Sequence, residues 1–286
     1  MASVPAEPPP SPDRLPIAVC DNHAHLDIVR HGDAEGMPLA DAVAAAAAVG
    51  VDRIVHVACD VPSIEGIGAV LDAHPGVVVG AVALHPNDAA RHGAAGDLDA
   101  AYRVVEAALA DQRVRAVGET GLDYYRTGPD GIPAQQDSFR WHIDAAKRHG
   151  LPLQIHDRDA HDDVLRILAE EGPPERTVLH CFSGDLQVAR RALDLGCHLS
   201  FAGTVTFKSA RELRDALAIT PLDRLLVETD SPYLAPHPHR GARNASYLVP
   251  ITVRLMAGVL GVAVPILCQA LSETSDRVYG AWSDPV

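Results

Sequence analysis

Basic residues are in short supply. The 286-residue sequence carries 24 Lys and Arg against 38 Asp and Glu, a formal net charge of −14. A broad cationic face for gripping duplex nucleic acid is not expected, though the balance permits a pocket that binds phosphate through metal ions. Cysteines are few and dispersed. Cys20, Cys59, Cys181, Cys197 and Cys268 form no C-x-x-C pair, which argues against a disulfide scaffold or structural zinc knot and fits reduced thiols in a cytoplasmic protein. Long apolar runs are also missing. The alanine-rich stretch from Ala42 to Ala48 lies between Asp41 and Gly50, too short for a bilayer and suited to a helix. The first residues lack the basic start and apolar stretch of a secretory signal, so no membrane partner is expected. No G-x-S-x-G elbow surrounds Ser183, and Gly66-Ile67-Gly68 lacks the third glycine of a nucleotide-binding fingerprint. Zinc-finger, helicase and RNA-binding signatures are absent.

What the sequence does have is alternation. Short apolar runs at 17–20, 54–58, 77–83, 114–118, 153–155, 177–179, 198–201 and 225–228 read as strands. Between them come helical patterns: Leu98, Ala101, Tyr102, Val105 and Leu109; Phe139, His142, Ile143 and Ala146; and Leu186, Ala189 and Leu193 before Gly196. Alternating strands and helices imply a parallel sheet, and eight strands suggest closure, so the expected fold is α/β, a (β/α)8 TIM barrel. Leu248, Ile251, Thr252, Leu255 and Val259 begin an extra C-terminal helix, and another from near Pro265 is expected beneath or beside the barrel. Pro5, Pro8, Pro9, Pro10 and Pro12 make residues 1–16 read as a mobile tail, with 17–286 as one domain.

Asp21-Asn22-His23-Ala24-His25 closes the first run. If the strand persists, alternation puts His23 and His25 on one face, where two imidazoles can grip a divalent metal. Later runs end in similar chemistry: His85, Glu119, His156, His180, and Asp230 after Glu228-Thr229. Any one of these residues alone is better read as a satisfied rim residue, but their recurrence at successive strand ends points to an active site on the C-terminal rim. A two-metal hydrolytic centre would place His23, His25 and Asp230 on one ion and His156 and His180 on the other, with Glu119 bridging. Ions about 3.5–4 Å apart can activate water and neutralise a phosphoryl oxygen. His85 is a candidate for touching substrate, and Arg126, Lys208, Arg240 and Arg243 lie in post-strand loops where phosphate would arrive. Glu228 and Asp27 are candidates for orienting imidazoles. His142, His149 and His161 fall in helical patterns and are expected to play no catalytic part. Cys181 and Ser183 invite a nucleophile reading that leaves the ligand set unexplained.

With these motifs in place, the sequence resembles the TatD family of metal-dependent deoxyribonucleases, from about Ile17 to Gly280. The carriers are Asp21 through Asp27, Gly118-Glu119-Thr120-Gly121-Leu122-Asp123-Tyr124-Tyr125, Leu151 through His156, His180-Cys181-Phe182-Ser183-Gly184, and Val227-Glu228-Thr229-Asp230-Ser231-Pro232-Tyr233-Leu234. The resemblance implies DNA hydrolysis, often from the 3′ end, with metal ligands at His23, His25, Glu119, His156, His180 and Asp230. It also implies that Asp230 helps take the proton from the attacking water. Two departures leave the ligands untouched and bear on substrate preference. The run Val82-Ala83-Leu84-His85-Pro86-Asn87 lacks the family's glycine before His-Pro, and Ala245-Ser246 follows Arg240-Gly241-Ala242-Arg243-Asn244 where Glu-Pro is usual.

The leading expectation is a phosphodiesterase acting on DNA, at single-stranded ends, with two divalent ions (magnesium, manganese or zinc). An amide, ester or lactone hydrolase on the same barrel is the alternative. A non-catalytic metal-binding protein is a third reading, disfavoured by the full ligand set.

Overall fold

The computed structural model describes residues 8–28 and 37–282. The strands are β1 (Val19–Ala24), β2 (Val51–Ala58), β3 (Val78–Val82), β4 (Val114–Asp123), β5 (Leu153–Arg158), β6 (Thr177–Leu179), β7 (His198–Phe201) and β8 (Leu225–Val227). They form one sheet in sequential order, every neighbouring pair parallel. The chain beyond β8 returns to β1. Asp230 N donates to His23 O at 3.0 Å, His25 N donates to Ser231 O at 2.8 Å, and Ala24 bridges Ser231. This is the TIM barrel that the alternation implied.

Crossovers between parallel strands need connections long enough to return over the sheet, usually helices. Here these are α1 (Leu39–Ala48), α2 (Val61–Ala73), α3 (Pro86–Ala95), α4 (Leu98–Ala108), α5 (Ile132–His149), α6 (His161–Glu171), α7 (Leu186–Asp194) and α8 (Arg211–Ile219). Local chemistry starts several of them. Asp60 and Ser63 form a reciprocal capping box on α2, and Asp185 accepts from Gln187 N and Val188 N at the head of α7. Two further helices, α9 (Val249–Leu260) and α10 (Val264–Tyr279), follow the barrel. No single helix among the described residues is long and apolar enough to cross a membrane.

One core lies between sheet and helices, with Leu71, Val105, Phe139, Ile143 and Leu168 among its members. A smaller cluster fills the barrel itself, where Cys20, Val55, Val57, Val79, Ala81, Ala116, Val178 and Leu226 meet Val278 and Tyr279 of α10. The end of α10 thus closes the barrel from below, near the strand starts, opposite the mouth where the histidines gather.

Three strands run further than their apolar stretches. β1 continues through Asp21-Asn22-His23, β4 through Glu119 to Asp123, and β5 through His156 to Arg158. The polar extensions stay in the sheet because their side chains find partners inside it: Asp21 accepts from Thr229, and Asn22 donates to Ser200 Oγ and Val227 O. The proline-rich segment also differs from expectation. Residues 1–7 lie outside the described residues, but 9–15 are docked. Tyr247 Oη donates to Pro9 O at 2.8 Å, Arg254 Nη2 to Asp13 O at 2.9 Å, and buried Leu15 pairs its N–H with Val49 O at 2.9 Å. An extended proline-rich chain keeps its carbonyls free to accept, and the barrel supplies the donors.

Gly121, in β4, has φ 138°, and an added Cβ would sit 2.1 Å from the carbonyl oxygen of His156. We expect Gly121→Ala to destabilise the protein at the upper end of the roughly 1–3 kcal/mol that overpacking costs. Urea unfolding checks this, and an unchanged midpoint would contradict the close strand contact.

Candidate metal centre

Glu119 is the hub of the barrel mouth. Its Oε2 lies 3.5 Å from His23 Nε2 and 3.6 Å from His25 Nε2, and His25 Nε2 lies 3.7 Å from Asp230 Oδ1. Its other oxygen, Oε1, lies 2.6 Å from His156 Nδ1, 2.9 Å from His180 Nε2 and 3.7 Å from His85 Nε2. The two oxygens of one carboxylate therefore face two donor groups. Within each of the sets His23–His25–Asp230 and Glu119–His156–His180, the ligand atoms lie within 4.8 Å of one another. Two overlapping sets, His23–His180–Glu228 and His85–Asp123–His156, meet the same limit.

The donors fit a divalent metal. His23 Nε2 and His156 Nε2 are buried with no hydrogen-bond partner, a condition that costs about 1–3 kcal/mol for each neutral polar group unless a ligand relieves it. Imidazole nitrogens and carboxylate oxygens together suit zinc, manganese and magnesium.

A hydrogen-bonded floor beneath the site aims the imidazoles. Gln154 Nε2 donates to Asn22 O and Tyr279 Oη, each at 2.7 Å, so Gln154 Oε1 must face His23 Nδ1, 3.1 Å away. That makes Nδ1 the protonated nitrogen and turns the lone pair of Nε2 into the site. His25 Nδ1 likewise donates to Val57 O at 2.9 Å. His180 Nδ1 donates to Glu228 Oε1 at 3.2 Å, and Glu228 is itself held by Cys181 N at 2.8 Å and by Ser200 Oγ. The chain of bonds closes through Tyr279 Oη to Asn22 Oδ1 at 3.0 Å. Three rings thus present Nε2 inward because their other nitrogen is already engaged.

Electrostatics follow from this crowding. Burial alone would lower His180, but Glu119 and Glu228 hold its imidazole well above the usual histidine value. Burial would raise Glu119, yet His180 and His85 keep it well below the carboxylate range. Burial pushes Asp230 up to about 7, helped by Glu119 and Glu228 against the pull of His180 and His25. Burial lowers His23 to about 4 and His85 to about 3. In the metal-free site the His180 imidazolium therefore stands between two carboxylates, where a metal cation would otherwise balance them. Asp230 also holds a left-handed backbone, φ 54°, a conformation that Asp tolerates better than most residues and that recurs at functional sites.

A family model described as TatD related DNase matches residues 20–280. The chain belongs to the TatD family. Among curated TatD relatives, it is 44% identical over 264 residues to an uncharacterized metal-dependent hydrolase, TatD, of Mycobacterium tuberculosis, covering 91% of this chain and 97% of that one. With the uncharacterized metal-dependent hydrolase YcfH of Escherichia coli it shares 40% identity over 262 residues, 91% of this chain and 94% of the relative. The solved structure of YJJV, a TatD homolog from Escherichia coli, superposes with a TM-score of 0.80 at 28% identity, covering 91% of this chain and 97% of that one.

The remaining residues singled out in this TatD chain fall into place unevenly. His85 caps α3, its Nδ1 accepting from Asn87 N at 3.1 Å, and turns Nε2 toward Glu119. Lys208 and Arg240 are exposed and line one cavity of about 370 Å³ with Phe207, Ser209 and His237; the Arg240 guanidinium lies 4.8 Å over the Phe207 ring. Arg126 is exposed beside Asp123, which accepts from its N–H. Arg243 is half-buried and engaged within the protein. Asp27 lines a cavity of about 340 Å³ with His25 and Cys59.

Burial holds the Cys181 thiol protonated, and Ser183 Oγ donates to Asp157 O, so neither is poised as a nucleophile. His142, His149 and His161 pair with Leu84 N, Glu106 and Asp157 respectively. All five cysteines are free. Of the two departures from the family pattern, Ala83 and Ser246 are buried, while Asn244 braces the Asp230 segment by donating to Thr229 O at 2.8 Å.

Sequence reasoning passed over Gln154, Asn22, Ser200, Tyr279 and Asp123. Gln154 did carry a signal, since it interrupts an apolar strand two positions before His156 and so shares its face. Tyr279 carried none, because only the return of α10 beneath the barrel brings it to the site.

Proposed function

We propose that this TatD protein hydrolyses phosphodiester bonds of DNA at single-stranded ends, from the 3′ end, using two divalent ions. The observation that carries the reading is Glu119, whose carboxylate oxygens each face a separate donor set. His23, His25 and Asp230 would hold one ion, His156 and His180 the other, and Glu119 would bridge them. When bound, the ions would polarise a phosphoryl oxygen and make a nearby water more acidic. The rest falls to the chain itself. Asp230 accepts the proton of the attacking water at its carboxylate, held in place by its backbone bond to His23 O. His85 is neutral, its Nδ1 occupied as an acceptor, so its Nε2–H is free to donate to a phosphoryl oxygen. Lys208 and Arg240 receive a neighbouring phosphate between the loops after β7 and β8, a common place for phosphate in this fold, and Arg126 meets another at the rim.

Metal-supplemented assays on labelled single-stranded DNA, duplex DNA, RNA and a lactone panel test the reading. Turnover of single-stranded DNA is expected, and preferential lactone hydrolysis would replace it. Because the protein is acidic, few phosphates should be neutralised at once. Each contact on a single strand adds about 0.7 to the log–log salt slope, so a shallow slope of roughly 1–3 is expected, with a requirement for free ends. A slope near about 6, or efficient cutting of covalently closed circles, would indicate a groove-binding endonuclease instead.

A further inference from the structure

Aromatic residues make up only 4% of the chain, yet two of them face solvent beside the candidate metal centre. Among the described residues the exposed large hydrophobic side chains are Tyr125, 65% exposed, Tyr233, 42% exposed, and Ile266 of α10. Tyr125 lies just past the end of β4, the strand that carries Glu119. Tyr233 follows Asp230 closely, its N–H donating to Asp230 O at 2.9 Å. In a closed eight-stranded sheet of sequential order, β4 and β8 stand across the barrel from each other. The two tyrosines therefore flank the Glu119 cluster from opposite sides.

The pairing of β4 with β5 extends to Tyr124, whose N–H donates to Arg158 O at 2.9 Å, and Tyr124 turns outward to Asp163 of α6, 2.7 Å from its hydroxyl. Tyr125 sits in the turn that follows, with its side chain exposed. The Arg158 guanidinium lies 4.0 Å over the Tyr125 ring, which steadies the ring by a cation–π contact and leaves its opposite face open.

We propose that Tyr125 and Tyr233 form a stacking clamp for the last bases of a single-stranded DNA chain, setting which bond lies over the Glu119 cluster. The proposal rests on the phosphodiesterase reading and adds what holds the substrate. Stacking needs no positive charge, which suits a protein of net charge −14. It tolerates any base sequence and favours single strands, because bases inside a duplex have no free face.

The test uses the full-length, metal-loaded protein and single-stranded oligonucleotides whose terminal positions are either ordinary or abasic. Removing a clamped base should lower kcat/KM by roughly 5- to 150-fold, mostly through KM. Tyr125→Ala and Tyr233→Ala should lose a comparable factor on ordinary ends and discriminate less against abasic ones, whereas Tyr125→Phe and Tyr233→Phe should behave as the parent. Quenching of a terminal 2-aminopurine by metal-stripped protein, lost in the alanine variants alone, gives a readout independent of turnover. Equal cutting of abasic and ordinary ends, or alanine variants with unchanged KM, overturns the clamp while leaving the phosphodiesterase reading intact. If the metal-loaded protein leaves every oligonucleotide uncut, the phosphodiesterase reading fails and the clamp falls with it.

Discussion

Replacing Asp230 with asparagine is expected to lower turnover about 10²–10⁴-fold, the range assigned to general-base assistance, while the protein stays folded and metal-loaded. The amide keeps the shape of the carboxylate and one coordinating oxygen but loses its charge and its basicity. Burial has already brought the Asp230 carboxyl up to about 7 in the metal-free site, so this group's affinity for a proton is unusual for an aspartate. The backbone bonds from Asp230 N to His23 O and from Tyr233 N to Asp230 O persist in the variant, which makes misfolding an unconvincing explanation of a loss. Circular dichroism and elemental analysis of the purified variant, beside steady-state rates on single-stranded DNA, check all three parts. Near-normal turnover would move the base elsewhere.

Stripping the metal should have an effect at least as large. Electrophilic assistance by bound ions is worth several kcal/mol, so chelation should cut hydrolysis by about 10³-fold or more, with magnesium, manganese or zinc restoring it to differing extents. Full activity in thoroughly stripped protein would end the metal-dependent reading. The same site predicts a pH dependence for metal uptake. In the metal-free protein His180 is held protonated by Glu119 and Glu228, and Asp230 titrates near about 7. Both must be deprotonated to act as ligands, so metal binding releases protons, and affinity weakens as pH falls through about 7, roughly tenfold per pH unit for each proton released. Calorimetric titrations at pH 6 and 8, in buffers of different ionisation enthalpy, measure that release. A metal affinity constant across this range would mean that neither group is a ligand.

The architecture was written locally. Each strand is a short apolar run and each helix an apolar stripe, and both patterns arise from residues close in sequence, so their alternation alone implies a parallel barrel. The candidate ligands were legible for the same reason: His23, His25, Glu119, His156, His180 and Asp230 follow the apolar stretches of their strands, and a parallel barrel brings the C-terminal parts of all its strands to one rim. What the sequence by itself could not convey is which atoms face which. That Glu119 turns one oxygen to His23 and His25 and the other to His156 and His180 depends on strands far apart in the chain closing around it. The inward aim of His23 depends on Gln154, and Gln154 depends on Tyr279 arriving from the last helix. The docking of residues 9–15 depends on donors supplied by Tyr247 and Arg254, more than 200 positions later. Periodicity reports which face a residue occupies, because that is set by its own backbone. Tautomers and hydrogen-bond directions are set by long-range contacts, and only the closed tertiary structure decides those.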